Sequence, residues 1–204
     1  MKVRTEARRN AILESALALF REVGFERASM NELATRLGGS KATLYGYFAS
    51  KEDLFVAVVQ AVATSHLAQA AGELLEVKEG TTLASVLTRF GERMLRVLTN
   101  DTDALAVYRM VIAEAGQSSV GQQFYDSGPA EYIRALAQLM AAAMARGELR
   151  RADAQVTALQ FLALVTAETG ARLYQVDPQP LSVKQIRGMV ERAVETFLAG
   201  AIKR

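Results

Sequence analysis

Apolar residues return every three or four positions along most of this chain, and no stretch of strand length alternates with period two. Ile12, Ala16, Leu19, Phe20 and Val23 form the first stripe. They predict a helix over residues 5–23 that stops at Gly24, with Phe25 placed to pack back on it. Ser29-Met30-Asn31-Glu32 has the pattern of a capping box, in which the Ser side chain accepts from the Glu N–H and the Glu reaches back. A second helix follows through Leu33, Ala34 and Leu37 and ends at Gly38-Gly39, and Ser40 caps a third that reaches only to Phe48. Ser50-Lys51-Glu52-Asp53 has the look of another capping box, opening a helix with Leu54, Phe55, Val58, Val59 and Val62 on one face. Longer helices are expected over 82–98, 102–114, from Pro129 to near Arg146, over 153–174 and over 183–202. Breaks fall at Glu79-Gly80, Asn100-Asp101, 116–119, Gly147 and 177–180. The expected fold is all-α, with about nine helices and no internal repeat.

The last two helices differ from the others. Residues 158–167 are apolar around most of the helix circumference, and Ile186, Met189, Val190, Ala193, Val194, Phe197 and Leu198 give the final helix a wide apolar face. A monomer could bury both in its own bundle. A dimer could equally place them in a four-helix seam across a two-fold axis. Periodicity leaves the two open.

Composition narrows the chemistry. The chain has 204 residues, half of them hydrophobic, with 3 Pro and no Cys, so disulfides, thiolate metal sites and thiol switches are excluded. The charged start leads into no long apolar run, and the most apolar stretches are shorter than the ~20 residues of a bilayer span, so a soluble cytosolic protein is expected. Net charge is only +2, but it is uneven. Residues 1–51 hold nine Lys/Arg against five Asp/Glu, and the remainder fifteen against seventeen, a distribution that suits phosphate contact at one end.

The third helix is the most informative element. It is too short to bury much, yet Lys41, Thr43, Tyr45 and Tyr47 give it several hydrogen-bond donors. Helix two, a Gly turn and this helix have the spacing of a helix-turn-helix, whose second helix enters the ~12 Å major groove. Taken alone, the pattern leaves DNA binding and an ordinary Gly-flanked helix about equally supported.

Residues from about Arg8 to Val59 resemble the N-terminal DNA-binding domain of the TetR/AcrR family of transcriptional regulators. The likeness runs through Gly24-Phe25, Ser29-Met30-Asn31-Glu32-Leu33-Ala34, Gly38, Ser40-Lys41-Ala42-Thr43-Leu44-Tyr45, Tyr47-Phe48 and Ser50-Lys51-Glu52-Asp53-Leu54. Gly39 departs from it, since the family more often has Val there. The resemblance implies a three-helix helix-turn-helix DNA-binding domain at 1–50 and a larger helical ligand-binding and dimerisation domain at 51–204. It implies that Lys41, Thr43 and Tyr47 face the groove, that Tyr45 bonds a phosphate and that Lys51 neutralises one. Ser29, Met30 and Asn31 would approach from the start of helix two, and Arg4, Thr5 and Arg8 would touch the adjacent backbone. Leu44 and Phe48 would be core. Gly46 would be kept small for close approach, or simply face solvent.

The segment from Tyr108-Arg109-Met110-Val111 through Phe124-Tyr125, Gly128-Pro129 and Ala145-Arg146-Gly147-Glu148-Leu149 is similar to the C-terminal domain of the AefR-like branch. This implies a homodimer through the last two helices and a pocket for an unknown small-molecule effector. The expected partners are therefore a double-stranded, near-palindromic DNA operator, a second copy and that effector, with no cofactor, metal or membrane. Pocket candidates are Phe90, Met94, Tyr108, Glu114, Phe161, Glu168 and Arg172, which periodicity puts inside. Glu168 and Arg172 are four apart and could simply pair, and the three apolar residues could be plain core. His66, the sole histidine, is expected to be a helix residue and not a ligand. Two other readings compete with a ligand-responsive repressor: a soluble helical enzyme, and a helical protein-binding scaffold. The first lacks a phosphate loop, a nucleophile motif and metal spacing, and the intact Lys41, Thr43, Tyr45 and Lys51 weigh against the second.

Overall fold

Thr5, Ser29, Ser40 and Ser50 each start a helix in the same way, with an extended backbone and a side-chain oxygen accepting the N–H three residues on. The computed structural model describes residues 5–64 and 80–202. In its N-terminal part α1 (Glu6–Val23), α2 (Met30–Arg36), α3 (Lys41–Tyr47) and α4 (Lys51–Val59) follow in turn, and a π-helical turn, Gln60–Thr64, continues α4. Next come α5 (Leu83–Asn100), α6 (Thr102–Glu114), α7 (Val120–Ser127), α8 (Pro129–Ala145), α9 (Ala154–Thr166) and α10 (Val183–Ala201). The described residues thus form ten α-helices and one isolated antiparallel bridge, Leu149 to Ile202. The fold is all-α, as the periodicity predicts.

Three details differ from the sequence reading. Glu32 does not complete a capping box with its carboxylate, which is bonded by Arg36 at 2.8 Å. Residues 120–127 form α7, a short helix containing Gly121 that the sequence reading does not include. The helix expected over 153–174 stops at Thr166, followed by turns and a 3-10 segment, Gly170–Tyr174. Threonine hydroxyls and Gly170 mark that stop. Thr166 back-bonds to the carbonyl of Leu162, and Thr169 bonds the carbonyl of Thr166, so side chains compete with the helical ladder where it ends.

Packing divides the chain into two units, Met1–Ser65 with Ala106–Ser127, and His66–Leu105 with Gly128–Arg204. The boundary expected at 50/51 is therefore not the packing boundary. α4 and most of the α6–α7 segment share a core with the helix-turn-helix. That core is built around Phe20, Phe25 and Phe55, whose ring centroids lie 4.9 to 5.7 Å apart in tilted and edge-on contacts. Ile12, Leu19, Leu33, Leu44 and Leu54 close round them, with Val107, Val111 and Val120 from the later segment.

The second unit packs α5 on α10, α8 on α9 and α9 on α10. Phe90, Phe161 and Phe197 run through its centre, with centroids 6.4 and 5.3 Å apart. Gly91 lets α5 and α10 approach closely, since a Cβ there would come within 2.9 Å of a Val190 methyl. Among the described residues no helix is long and apolar enough to cross a membrane.

Candidate nucleic-acid interface

The turn before α3 begins where α2 must stop. Gly38 has φ +58°, a left-handed conformation that a side chain disfavours, and the Gly39 N–H turns back to bond the Ala34 carbonyl at 3.0 Å. Ser40 then caps α3, and its hydroxyl also meets the Thr43 hydroxyl at 2.9 Å. Leu44 and Phe48 are buried, as expected, and anchor one side of α3 in the core. Lys41 and Tyr45 project on the other side. Tyr45 is 45% exposed, and the Lys41 ammonium lies 5.8 Å from its ring centroid. A Cβ at Gly46 would meet nothing within 4 Å, so open space surrounds it.

Other expected contact residues are tied into the fold. The Tyr47 hydroxyl accepts from the Thr5 N–H at 3.1 Å, leaving the phenolic proton available to a further acceptor. Thr5 caps α1. Ser29 caps α2, with Asn31 exposed beside it. Arg8 gives Nη2 to the Leu37 carbonyl at 3.1 Å. Expected as a free phosphate neutraliser, Lys51 instead donates to the carbonyls of Phe25 at 2.9 Å and Glu26 at 3.2 Å, with its ammonium 4.2 Å from the Phe25 ring centroid. Only one of its three donors is left over. Arg4 and His66 lie outside the described residues.

Met30 is corrected. It is buried in the first unit's core, so it is not a surface contact. Met30, Leu33, Ala34 and Leu37 fall at i, i+3, i+4 and i+7, and that apolar stripe could have assigned it to the core from the sequence. Two arginines escaped the sequence reading. Arg9 lies over the Phe48 ring at 5.5 Å, and Arg36 joins α2 to α1 through Glu22 at 2.7 Å. The hydrogen bond from Arg36 holds the Glu22 carboxyl below its ordinary range.

The effector candidates are divided between the two units. By packing, Tyr108 and Glu114 belong to the first unit, and Phe90, Met94, Phe161, Glu168 and Arg172 to the second. Phe90, Met94 and Phe161 are core residues, each at most 5% exposed. The Glu168–Arg172 pairing is not observed. Glu168 is bonded in bidentate fashion by Arg192 at 2.6 and 2.9 Å, which lowers its pKa. Arg172 donates to the carbonyls of Thr99 and Gln179, because the 3-10 turn carries it off the α9 face that Glu168 was expected to share. Glu114 is buried with Oε2 unbonded, and burial, reinforced by Glu26 and opposed by Lys51, pushes its pKa up. Among the described residues no cluster of three or more His, Cys, Asp or Glu could hold a metal ion.

This arrangement is shared with known proteins. Residues 12–58 match the tetR family of bacterial regulatory proteins, and residues 85–200 match the C-terminal domain of AefR-like transcriptional repressors. The chain belongs to the TetR family. The solved flavonoid-responsive regulator FrrA is 30% identical, with a TM-score of 0.77 over 98% of this chain and all of that one. A TetR-family regulator from Mesorhizobium loti shares the fold at 24% identity, with a TM-score of 0.81 over 99% of this chain and all of that one. Among curated relatives, the transcriptional activator FasR of Mycolicibacterium smegmatis is 42% identical over 55 residues, 27% of this chain and 25% of FasR. The regulator RutR of Escherichia coli is 39% identical over 56 residues, 28% of this chain and 26% of RutR. Each match spans about a quarter of the curated relative. The named relatives are transcription regulators.

Proposed function

We propose that this TetR-family chain is a ligand-responsive transcription regulator of the bacterial cytosol, binding a near-palindromic operator as a homodimer and acting as a repressor. One observation carries the reading. A seven-residue helix with a buried Leu44 and exposed Lys41 and Tyr45 stands between two Ser-capped helices, within the stretch that matches the family's DNA-binding domain. In the major groove Lys41 and Thr43 read base edges, and Tyr45 and the proton of Tyr47 contact phosphates. Ser29 and Asn31 approach the flanking backbone from the start of α2, and Thr5 does so from the cap of α1. The remaining N–H of Lys51 is open to a phosphate while the other two stay on carbonyls.

The second unit supports dimerisation. α9 buries Ala158, Phe161, Leu162 and Val165 on one side and leaves Val156 and Leu159 nearly half exposed on another. A second copy packed on that side would bury both. Two copies would set their α3 helices in successive major grooves, about 34–36 Å apart. A small effector that prefers another separation would release DNA through its differential affinity for the two conformers. FrrA, a solved relative named as flavonoid-responsive, supports control by a small molecule here too. Footprinting on the DNA upstream of the chain's own gene tests the reading: two protected half-sites about one turn apart are expected. Binding to that DNA as a monomer, or none that falls with salt, would count against it.

A further inference from the structure

Gly38 and Gly39 sit side by side in the turn before α3, but only Gly38 has a backbone that requires glycine. At Gly39 the constraint is a neighbour. A Cβ there would stand 3.0 Å from Nη2 of Arg8, the same nitrogen that donates to the Leu37 carbonyl at 3.1 Å. That carbonyl belongs to the C-cap of α2, where the helix leaves acceptors without ladder partners and a cation is favoured. Arg8 is not alone in joining α1 to the recognition segment. Thr5 N–H bonds the Tyr47 hydroxyl, and Arg9 lies over the Phe48 ring. The first turn of α1 therefore holds α3 at both ends, at the turn before it and in its last turn.

We infer that Arg8 and Gly39 are a matched pair: Gly39 leaves the space that the Arg8 guanidinium occupies, and from there Arg8 is a positioning residue for α3 and not a phosphate ligand. The consequence for DNA rests on the reading of α3 as the recognition helix. A short helix that buries only Leu44 within its own span keeps little orientation of its own, so external ties set its angle and reduce the ordering needed on binding.

The test compares the full-length parent with Arg8→Ala, Gly39→Val and the double variant. Each single change is expected to weaken operator binding about tenfold, the loss of one charge-assisted hydrogen bond. The slope of log affinity against log salt should stay at the parent value, whereas losing a phosphate contact would reduce it by about 0.9. The double variant should bind no worse than Arg8→Ala. Gly39→Val should still unfold cooperatively and lose less stability than Arg8→Ala, because replacing glycine in an unstrained conformation restricts the unfolded chain and offsets part of the lost bond. Without DNA, the amide at position 39 should exchange about tenfold faster relative to its intrinsic rate in both single variants, as its bond to Ala34 loosens. A slope lowered by about 0.9 in Arg8→Ala, multiplying effects in the double variant, or exchange unchanged in Gly39→Val would each overturn the pair. A parent without salt-sensitive DNA binding would overturn the recognition reading alone, and the exchange rates would then decide the pair.

Discussion

Lys41, Tyr45 and Asn31 stand in solvent on short capped helices, whereas Phe90, Met94 and Phe161 lie buried where α5, α8, α9 and α10 meet. Both groups were candidates for binding, and the structure separates them by what surrounds each side chain. On the first unit's recognition face, buried residues such as Leu44 and Phe48 hold the helix while its polar residues remain available. In the second unit the same side chains that could line a pocket are also the core. A mutation on the recognition face should therefore change binding and leave stability alone, and one in the second unit should do the reverse first.

Phe161→Ala probes the second unit hardest. Fully buried and in ring contact with Phe90 and Phe197, it should cost about 3–5 kcal/mol of unfolding free energy by chemical denaturation. Loss of effector response at full stability would instead make it a pocket residue and break the contrast. Gly91→Ala is next. A methyl forced against the branched Val190 side chain should destabilise the protein by about 1–3 kcal/mol, and Val190→Ala in the same chain should recover part of the loss.

Ser40→Ala sharpens the contrast within the first unit. Ser40 supplies the N-cap of α3, so its loss should cost about 1 kcal/mol of stability. It should also reduce DNA affinity through a less ordered α3.

Glu114→Gln should give the smallest change, and one that depends on pH. Burial raises the Glu114 pKa above the model-compound value of 4.5, so between 4.5 and the raised value the folded state keeps a proton that the unfolded state has lost. Its contribution is fully favourable below about 4.5 and is lost as pH rises through the raised value. The Gln variant should therefore gain stability at neutral pH, and that gain should shrink in acid. An equal gain at every pH would assign the effect to packing and not to charge.

Much of the first unit was legible in the sequence because its determinants are local. A Ser three residues before a donor N–H, a Gly where the chain turns left-handed and an apolar stripe act within one helix turn, and they gave α1 to α3 and the start of α4 to within a residue or two. Met30 was legible too, had its stripe been weighed above its place at the helix start. Lys51, Arg8 and Glu168 were not. Their partners, Phe25 and Glu26, Leu37, and Arg192, lie 24 to 29 positions away or on another helix, and spacing within one helix cannot foresee them. The end of α9 at Thr166 was hidden for a related reason. The apolar pattern runs on, and the Thr hydroxyls and Gly170 are weak local signals of the change.

The most direct measurement is operator affinity against salt for the parent and Lys41→Ala, with a panel of single-base operator variants. The parent should show a linear fall of log affinity with log salt, at a slope set by several neutralised phosphates. Lys41→Ala should flatten base preference at one position in each half-site, by about 1–3 kcal/mol, with stability unchanged. Uniform weakening across all operator variants would contradict α3 as the reading helix, and so would a parent whose binding ignores salt.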